Sequence, residues 1–409
     1  MSTHPARGAL LALALGAFGI ATGEFVTMGL LPNVAESFQV TIPQAGHMIS
    51  AYAIGVVIGG PLLTAAAVGL SRKALLLALA LALAAGNFAS AITPSFDVLL
   101  IVRFLSGLPH GAYFGAAAVA AGNMVEASRR NSAMALVFSG FTVANVVGVP
   151  LTTLTGQHVG WRSVFVVVGL IEVLAALGIL ILVPRQQENT GDALVRLRYE
   201  LLAFRNLQVW LALGIAAIGG GAMFATFSYI APMMIHVADY PESSIPLLMV
   251  LFGVGMTAGN LVGARMTDRN LMRTIYGSLG SQIIVALLFF LTAHHKIAAA
   301  ITIVVFPFTT IAMVPPLQAR LIMLAGGAPN LASASIHSAF NIANSLGAWL
   351  GGLTIAAGLG YASPNLVAAG LAELGLMLAL VSGRLGRNKP RHRLEIAAAR
   401  TRRLRRSPA

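Results

Sequence analysis

The chain of 409 residues contains no cysteine and few charged side chains. Without cysteine it can form no disulfide framework, no thiolate metal site and no thiol nucleophile. Charged residues make up 10% of the sequence and hydrophobic residues 57%, whereas soluble domains carry about 25% charged residues. Water is therefore not the main solvent of this chain, and the composition predicts an integral membrane protein.

Enzyme motifs are missing as well. The sequence holds neither the glycine-rich phosphate loop of nucleotide hydrolases nor the serine elbow of hydrolases. The pair His294-His295 offers metal-ligand residue types, but no third ligand lies near it in the sequence. We therefore expect no enzyme activity, no cofactor and no metal site.

Long apolar runs are the dominant feature of the sequence. The first, Ala9–Leu31, has 23 residues and a single charge, Glu24. About 20 apolar residues cross the roughly 30 Å hydrocarbon core of a bilayer. Because this run is too long for a signal peptide and has no cleavage pattern after it, we interpret it as the first of twelve membrane spans. The other eleven are 44–69, 74–93, 97–124, 131–157, 162–183, 207–232, 245–264, 272–292, 297–319, 331–357 and 362–383.

Basic residues orient these spans. With the N-terminus in the cytoplasm, 23 of the 26 Lys and Arg residues fall on the cytoplasmic side; Arg162 and Lys296 fall outside, and Arg103 lies within a span. The positive-inside rule thus predicts that both termini are cytoplasmic. Nine Lys and Arg residues against one Glu give residues 385–409 a charge of +8 of the total +13. We expect this tail to contact anionic lipid headgroups and not nucleic acid.

The two halves of the chain resemble each other at an offset of about 200 residues. Ala144-Asn145-x-x-Gly148 recurs as Ala343-Asn344-x-x-Gly347, and Glu172 has a counterpart in Glu373. Such matches predict an all-α protein of two six-helix bundles, as in many secondary transporters. The predicted divisions are an N-terminal bundle 1–183, a cytoplasmic linker 184–206, a C-terminal bundle 207–384 and the basic tail 385–409.

Two opposite charges lie at similar depth within the spans. Glu24 is about 10 Å and Arg103 about 9 Å from the same membrane surface at the helical rise. Charges inside a membrane normally pair with each other or face a wet cavity. The pattern predicts a protonatable acid beside a cation; a static ion pair that fixes helix packing is the alternative.

Other polar side chains mark candidate positions for a substrate cavity. His110 lies seven residues beyond Arg103 on the same helix face, and His337, Asn341 and Asn344 share one face of the eleventh span. A polar stripe in a membrane helix faces the protein interior, where it either lines a cavity or joins helices. The cavity candidates are His110, Asn145, His337, Asn341 and Asn344. The mid-span acids Glu172 and Glu373 are favoured as protonated structural residues.

Several stretches resemble the major facilitator superfamily, and within it the branch of drug:proton antiporters. They are Gly23–Pro32, Gly46–Ser50, Arg103–Gly115 and Trp161-Arg162-x-x-Phe165. Gly140 with Gly148-x-Pro150 is similar to the antiporter motif of the fifth span. Gly259-x-x-x-Gly263-x-Arg265-x-x-Asp268-Arg269 is similar to the loop motif between the eighth and ninth spans.

This resemblance implies the twelve-helix major-facilitator fold and a monomer in the bacterial inner membrane. It further implies proton-coupled export of small, drug-like compounds such as chloramphenicol by alternating access. Arg103 matches the family's arginine implicated in proton coupling, and Glu24 matches an acid used by several antiporters. Arg265, Asp268 and Arg269 match a latch of the inward-closed state, whose first-half equivalent lacks its Asp-Arg pair in residues 64–71. Export of a sugar or nucleoside, or facilitation without protons, is the alternative.

Overall fold

A computed structural model describes residues 3–66, 70–126, 129–185, 202–325 and 329–404. Helices account for nearly all of these residues, and no β-strand occurs in these ranges. The prediction of an all-α protein is therefore confirmed.

The first half contributes six spans. The first is Thr3–Gly29, followed by a short helix, Leu31–Phe38. The second, third and fourth are Ile42–Ala66, Arg72–Ala91 and Phe96–Asn123. The fifth consists of Arg130–Val143, a π-helical turn Ala144–Gly148 and Val149–Val159; the sixth is Trp161–Leu182.

The second half repeats this arrangement. The seventh span joins Leu207–Gly214 to Gly221–Ser228 through a π-helical turn, Ile215–Gly219, and a short helix, Ile230–His236, follows it. One continuous helical segment, Ile245–Thr292, supplies the eighth and ninth spans. The tenth joins Lys296–Ile311 to Val314–Ala325, the eleventh is Pro329–Ala356, and the twelfth is Pro364–Leu404.

The segment Ile245–Thr292 counts as two spans because it breaks at Asn270. That residue has φ −163° and ψ 99°, which is extended backbone. Its side-chain oxygen accepts a hydrogen bond from the Arg273 amide at 3.0 Å, as an N-cap does for a new helix. Within the described ranges, ten helices are long and apolar enough to cross a membrane, this segment being one of them. With its division and the 28-residue helix Pro329–Ala356, the predicted total of twelve is confirmed.

Serine residues begin two of the spans. The hydroxyls of Ser71 and Ser95 accept hydrogen bonds from the amides of Ala74 and Val98, at 3.3 Å and 3.4 Å. Each satisfies one of the amide groups that the first turn of a helix leaves without a partner. The third and fourth spans therefore start where the sequence places a capping residue after a loop.

Large apolar side chains cover the outer surface of the helix bundle. Ile297 is 79% exposed, Ile181 74% and Leu291 67%. Small residues fill the contacts between helices, as at Gly253 in the eighth span, where a Cβ would overlap the backbone carbonyl of Asn145 in the fifth. An apolar exterior over a close-packed interior is what lipid as solvent requires.

Three pairs of spans contribute to the contact between the two halves. The second span packs on the eleventh and the fifth on the eighth. Between the first and seventh spans, the ring of Phe25 lies 6.4 Å from that of Phe224 and 5.8 Å from that of Phe227. Polar residues that lie on these surfaces are in position to respond when one half moves against the other.

The predicted linker and tail lie partly outside the described residues. Residues 186–201 of the linker 184–206 are among those not described. The helix of the twelfth span continues past the predicted end of the bundle to Leu404. The domain divisions therefore stay predictions, as does the contact of the tail with lipid.

Candidate transport site

Glu24 lies at the contact between the two halves. It is 5% exposed, and its carboxylate accepts a hydrogen bond from the Asn344 amide at 2.9 Å. Glu24 belongs to the first span and Asn344 to the eleventh. One hydrogen bond thus joins an acid of the first half to an amide of the second.

Arg103 lies beside this bond, in the fourth span, and is 1% exposed. Its guanidinium donates a hydrogen bond to the carbonyl of Gly23 at 3.4 Å. The guanidinium carbon also lies 4.2 Å from the ring centre of Tyr52 and 5.4 Å from that of Phe165. Such cation–π contacts stabilise a buried cation that has no anion directly against it.

Arg103 lies beside Glu24, as predicted, but the direct ion pair of the alternative prediction does not form. The similar depth is observed, because Arg103 bonds the carbonyl of the residue that precedes Glu24. No direct ion pair within 4.0 Å joins the two side chains, and the carboxylate bonds Asn344 instead. Depth along a helix does not determine which side of the helix a long side chain takes, and Arg103 is directed onto the two aromatic rings.

His110 extends this group along the fourth span. It is 4% exposed, and its Nδ1 lies 3.1 Å from the hydroxyl of Tyr52. Its ring centre is 5.2 Å from that of Phe114. Tyr52 therefore contacts both Arg103 and His110 and connects the cation to the imidazole.

The imidazole ring of His337 makes a contact between the two halves. Its imidazole stacks on Phe114 and on Phe138, both with centroids 5.7 Å away and planes within 7° of parallel. Phe114 belongs to the fourth span and Phe138 to the fifth, so a residue of the eleventh span is held by two rings of the first half. This aromatic layer is a contact that must open if the halves separate at this level.

The three candidate amides differ in what they bind. Asn145 donates to the carbonyl of Phe141 in its own helix at 2.9 Å, and Asn341 donates to the carbonyl of His337 at 3.0 Å. Only Asn344 reaches the other half. The side-chain oxygens of Asn341 and Asn344, and Nε of Arg103, are buried without a partner among the described residues. Unpaired buried polar atoms cost free energy, so they are the atoms with which a bound polar molecule would pair.

The glycines of the predicted antiporter motif allow the first and fifth spans to approach closely. A Cβ on Gly140 would overlap the Ala14 carbonyl, and one on Gly148 would overlap Thr22 and Phe18. Gly148 ends the π-helical turn of the fifth span, and Pro150 follows it within the next helix. Single π-turns inside α-helices are frequent at functional sites.

Gly259 and Gly263 have the same role between the eighth and tenth spans. Any Cβ there would overlap the backbone of Phe308 or Ala312. The charged residues of that motif, Arg265, Asp268 and Arg269, are exposed. Their side chains make no hydrogen bond or ion pair in the described part of the chain. The contacts that the predicted latch requires are therefore not formed among the described residues, and the latch stays a prediction.

Polar contacts join the halves at the opposite end of the bundle. Glu242, which precedes the eighth span, accepts a hydrogen bond from the Asn33 amide at 2.7 Å, and its backbone carbonyl accepts one from Gln157 at 2.8 Å. We call these three residues the Glu242 clasp. With the clasp formed, the halves are joined at the Glu242 end.

Sequence reasoning missed Tyr52, the two rings around His337, and the clasp. Tyr52 follows the stretch Gly46–Ser50 by two residues, but an isolated tyrosine in an apolar span carries no signal of its own. Glu242 and Gln157 lie in or beside short loops, where polar residues are expected for solvation alone. Their pairing depends on which loops meet across the halves, which the sequence pattern does not specify.

Comparison with known proteins identifies the family. The family model described as the Major Facilitator Superfamily matches residues 13–352. The chain belongs to the major facilitator superfamily. It is a multi-pass membrane transporter of small molecules and not an enzyme.

Two relatives and one solved structure show the range of similarity. The inner membrane transport protein YdhP of Escherichia coli strain K12 is 39% identical over 92% of this chain and 96% of its own length. A chloramphenicol resistance protein of Streptomyces lividans is 34% identical over 87% and 90%. The crystal structure of a D-xylose-proton symporter aligns with a TM-score of 0.72 at 16% identity, covering 92% and 97% of the two chains. The major-facilitator fold with two six-helix bundles is thereby confirmed.

Proposed function

We propose that this transporter exports small, drug-like molecules from the cytoplasm in exchange for protons. The carrying observation is the hydrogen bond between Glu24 and Asn344, because it makes a protonatable side chain part of the contact between the halves. The antiporter motif around Gly148 and the identity with a chloramphenicol resistance protein support export of drug-like compounds.

Proton binding would change this contact in a defined direction. A carboxylate accepts a stronger hydrogen bond from an amide than a neutral carboxyl does. Protonation of Glu24 therefore weakens the bond to Asn344 and removes the negative charge beside Arg103. Glu24 takes this proton from the periplasm in the outward-open state, and the protonated carrier then rocks to the inward-open state and releases the proton to the cytoplasm, as alternating access in exchange for protons requires. Ionisation of Glu24 restores the bond and the arrangement seen here.

The proposed location follows from the same scheme. We place the protein in the bacterial inner membrane with both termini in the cytoplasm, so that the Glu242 clasp is periplasmic and the residues of the predicted latch are cytoplasmic. A substrate then has access from the cytoplasm, as an exporter requires. The basic tail 385–409 contacts anionic lipid on that side, and the transporter acts as a monomer.

The test is gradient-driven transport by Glu24→Gln in proteoliposomes with an imposed pH gradient and chloramphenicol as the probe. We expect loss of gradient-driven movement with retention of substrate exchange in the absence of a gradient, because the glutamine is neutral and similar in shape. Glu373→Gln is the matched control, since Glu373 is an exposed acid within the twelfth span. Full gradient-driven transport by Glu24→Gln would contradict proton coupling at this site.

Export of a hydroxyl-rich substrate is the second candidate. The buried, unpaired oxygens of Asn341 and Asn344 favour it, because an amide oxygen accepts hydrogen bonds from hydroxyl groups. A pentose tested beside chloramphenicol in the same proteoliposomes separates the two candidates. Transport of the pentose alone would replace the drug-like substrate in the proposal and leave proton coupling to be decided by Glu24→Gln.

A further inference from the structure

Glu172 is a buried acid that the proposed transport cycle does not use. It lies in the sixth span, is 0% exposed, and neither of its carboxyl oxygens has a hydrogen-bond partner in the part of the chain that the structure describes. No Lys, Arg or His nitrogen of the described residues lies within 4.0 Å of it. Its repeat counterpart in the second half, Glu373, is exposed. The burial of Glu172 is therefore not a feature that the two halves share.

Glu172 packs against the side of the first span that faces its own half. A Cβ on Gly19 would overlap the Glu172 carboxyl, and one on Gly23 would lie 3.1 Å from Val168, one turn earlier in the sixth span. Farther along the same pair of helices, Gly178 faces Ala12, at 2.8 Å for the added Cβ. The two spans thus run antiparallel in close contact, with small residues of one against side chains of the other.

Titratable groups around Glu172 are few. From the fourth span comes Tyr113, whose hydroxyl is committed to the carbonyl of Leu13 at 3.1 Å. Tyr52 of the second span is within electrostatic reach. The third span packs on the sixth but carries its charges, Arg72 and Lys73, at its first two residues, and His158 lies at the end of the fifth span. Glu24 is five residues beyond Gly19 and so faces a different side of the first span.

An ionised carboxylate in this position has neither solvent nor a cation nor a hydrogen-bond donor to stabilise it. The neutral carboxyl is far less costly to bury, because desolvation penalises the charged form. The close contact with Gly19 therefore admits the protonated side chain. An ionised one would have to leave it, since its charge requires water or a new partner.

We propose that Glu172 is a second proton-binding site of this transporter, which holds its proton while the first span is docked at Gly19. Loss of that proton releases the contact between the first and sixth spans. The first span then has an acid on each side: Glu24 toward the other half and Glu172 toward its own. The inference stands without proton coupling at Glu24, because it depends only on burial and on the contact at Gly19.

Infrared spectroscopy of the purified transporter in lipid tests the proton directly. We expect a protonated-carboxyl C=O band near neutral pH that is lost in Glu172→Gln and retained in both Glu24→Gln and Glu373→Gln. Glutamine keeps the shape and neutrality of the protonated acid, so the variant should fold. A wild-type band that survives unchanged in Glu172→Gln would overturn the proposal.

A disulfide between the two spans tests the consequence. Because the chain has no cysteine, the double variant Gly23→Cys with Val168→Cys, whose Cβ atoms would lie 4.0 Å apart as a disulfide requires, reports only on this helix pair. We expect the cross-linked fraction to fall as the pH is raised from about 6 to about 9, although thiol reactivity itself rises over that range. Adding Glu172→Gln should abolish the fall. Equal pH dependence with and without Glu172→Gln would contradict release of the contact by ionisation, whatever the outcome for Glu24→Gln in transport.

Discussion

The two halves share one fold but bury different chemistry. The first half holds Glu24, Arg103 and Glu172 within its spans, all of them 5% exposed or less. At the facing surface of the second half lies the amide of Asn344, and the acid equivalent to Glu172, Glu373, is exposed. Among the described residues both buried acids, Glu24 and Glu172, belong to the first half, while the second half supplies a neutral amide that bonds one of them.

The repeat-related asparagines show the same divergence on a smaller scale. Asn145 and Asn344 occupy equivalent positions in the repeated sequence. Asn145 bonds its own helix, whereas Asn344 bonds Glu24 across the interface. A symmetric fold therefore carries an asymmetric link between its halves.

The largest effect should come from removing the buried cation of the first half. Arg103→Ala loses a charged hydrogen bond and two cation–π contacts, so we expect gradient-driven transport to fall by about 100-fold. Arg320→Ala is the comparison in the second half, where the guanidinium bonds Gln208 and Ser382. It should lower stability and leave the pH dependence of transport intact. Transport is measured in proteoliposomes. Equal loss of its pH dependence in both variants would contradict a functional difference between the halves.

An intermediate effect is expected at the asparagines. Asn344→Ala removes a hydrogen bond to a charged group, worth about 1.5–3 kcal/mol, and should slow gradient-driven transport by roughly 10-fold. Asn145→Ala removes a bond within one helix and should change the rate by no more than about threefold. Transport rates at matched protein levels decide the matter. A greater loss of transport in Asn145→Ala than in Asn344→Ala would contradict the assignment of the functional amide to the second half.

The smallest effect should come from the exposed clasp. Asn33→Ala removes the side-chain bond to Glu242 but leaves the bond from Gln157 to the Glu242 carbonyl. Exposed contacts of this kind are worth about 0–1 kcal/mol. We therefore expect Asn33→Ala to raise the labelling rate of Ser243→Cys by about two- to threefold. A larger change in labelling in Asn33→Ala than in Asn344→Ala would make the clasp, and not the buried bond, the main link between the halves.

Much of the fold could be predicted from the sequence, because length and apolarity of the runs determine membrane spans and Lys and Arg residues mark their ends. The break at Asn270 and the two π-helical turns were not visible, since they depend on backbone geometry and not on hydropathy. Within the site, the residue types and depths of Glu24 and Arg103 were sufficient to place them together. Their partners, Asn344 and Tyr52, were not predictable because they come from spans whose rotation about their axes only packing determines.

In the proposed transport cycle the proton on Glu24 controls the contact between the halves. This control is tested most directly by the distance between spin labels on Glu36→Cys and Ser243→Cys, exposed positions of the two halves at the Glu242 end. With Glu24 intact, we predict that the distance lengthens as the pH is lowered, because the bond to Asn344 weakens. In Glu24→Gln the distance should be long at every pH. A pH response in Glu24→Gln equal to that of the unaltered site would contradict the account.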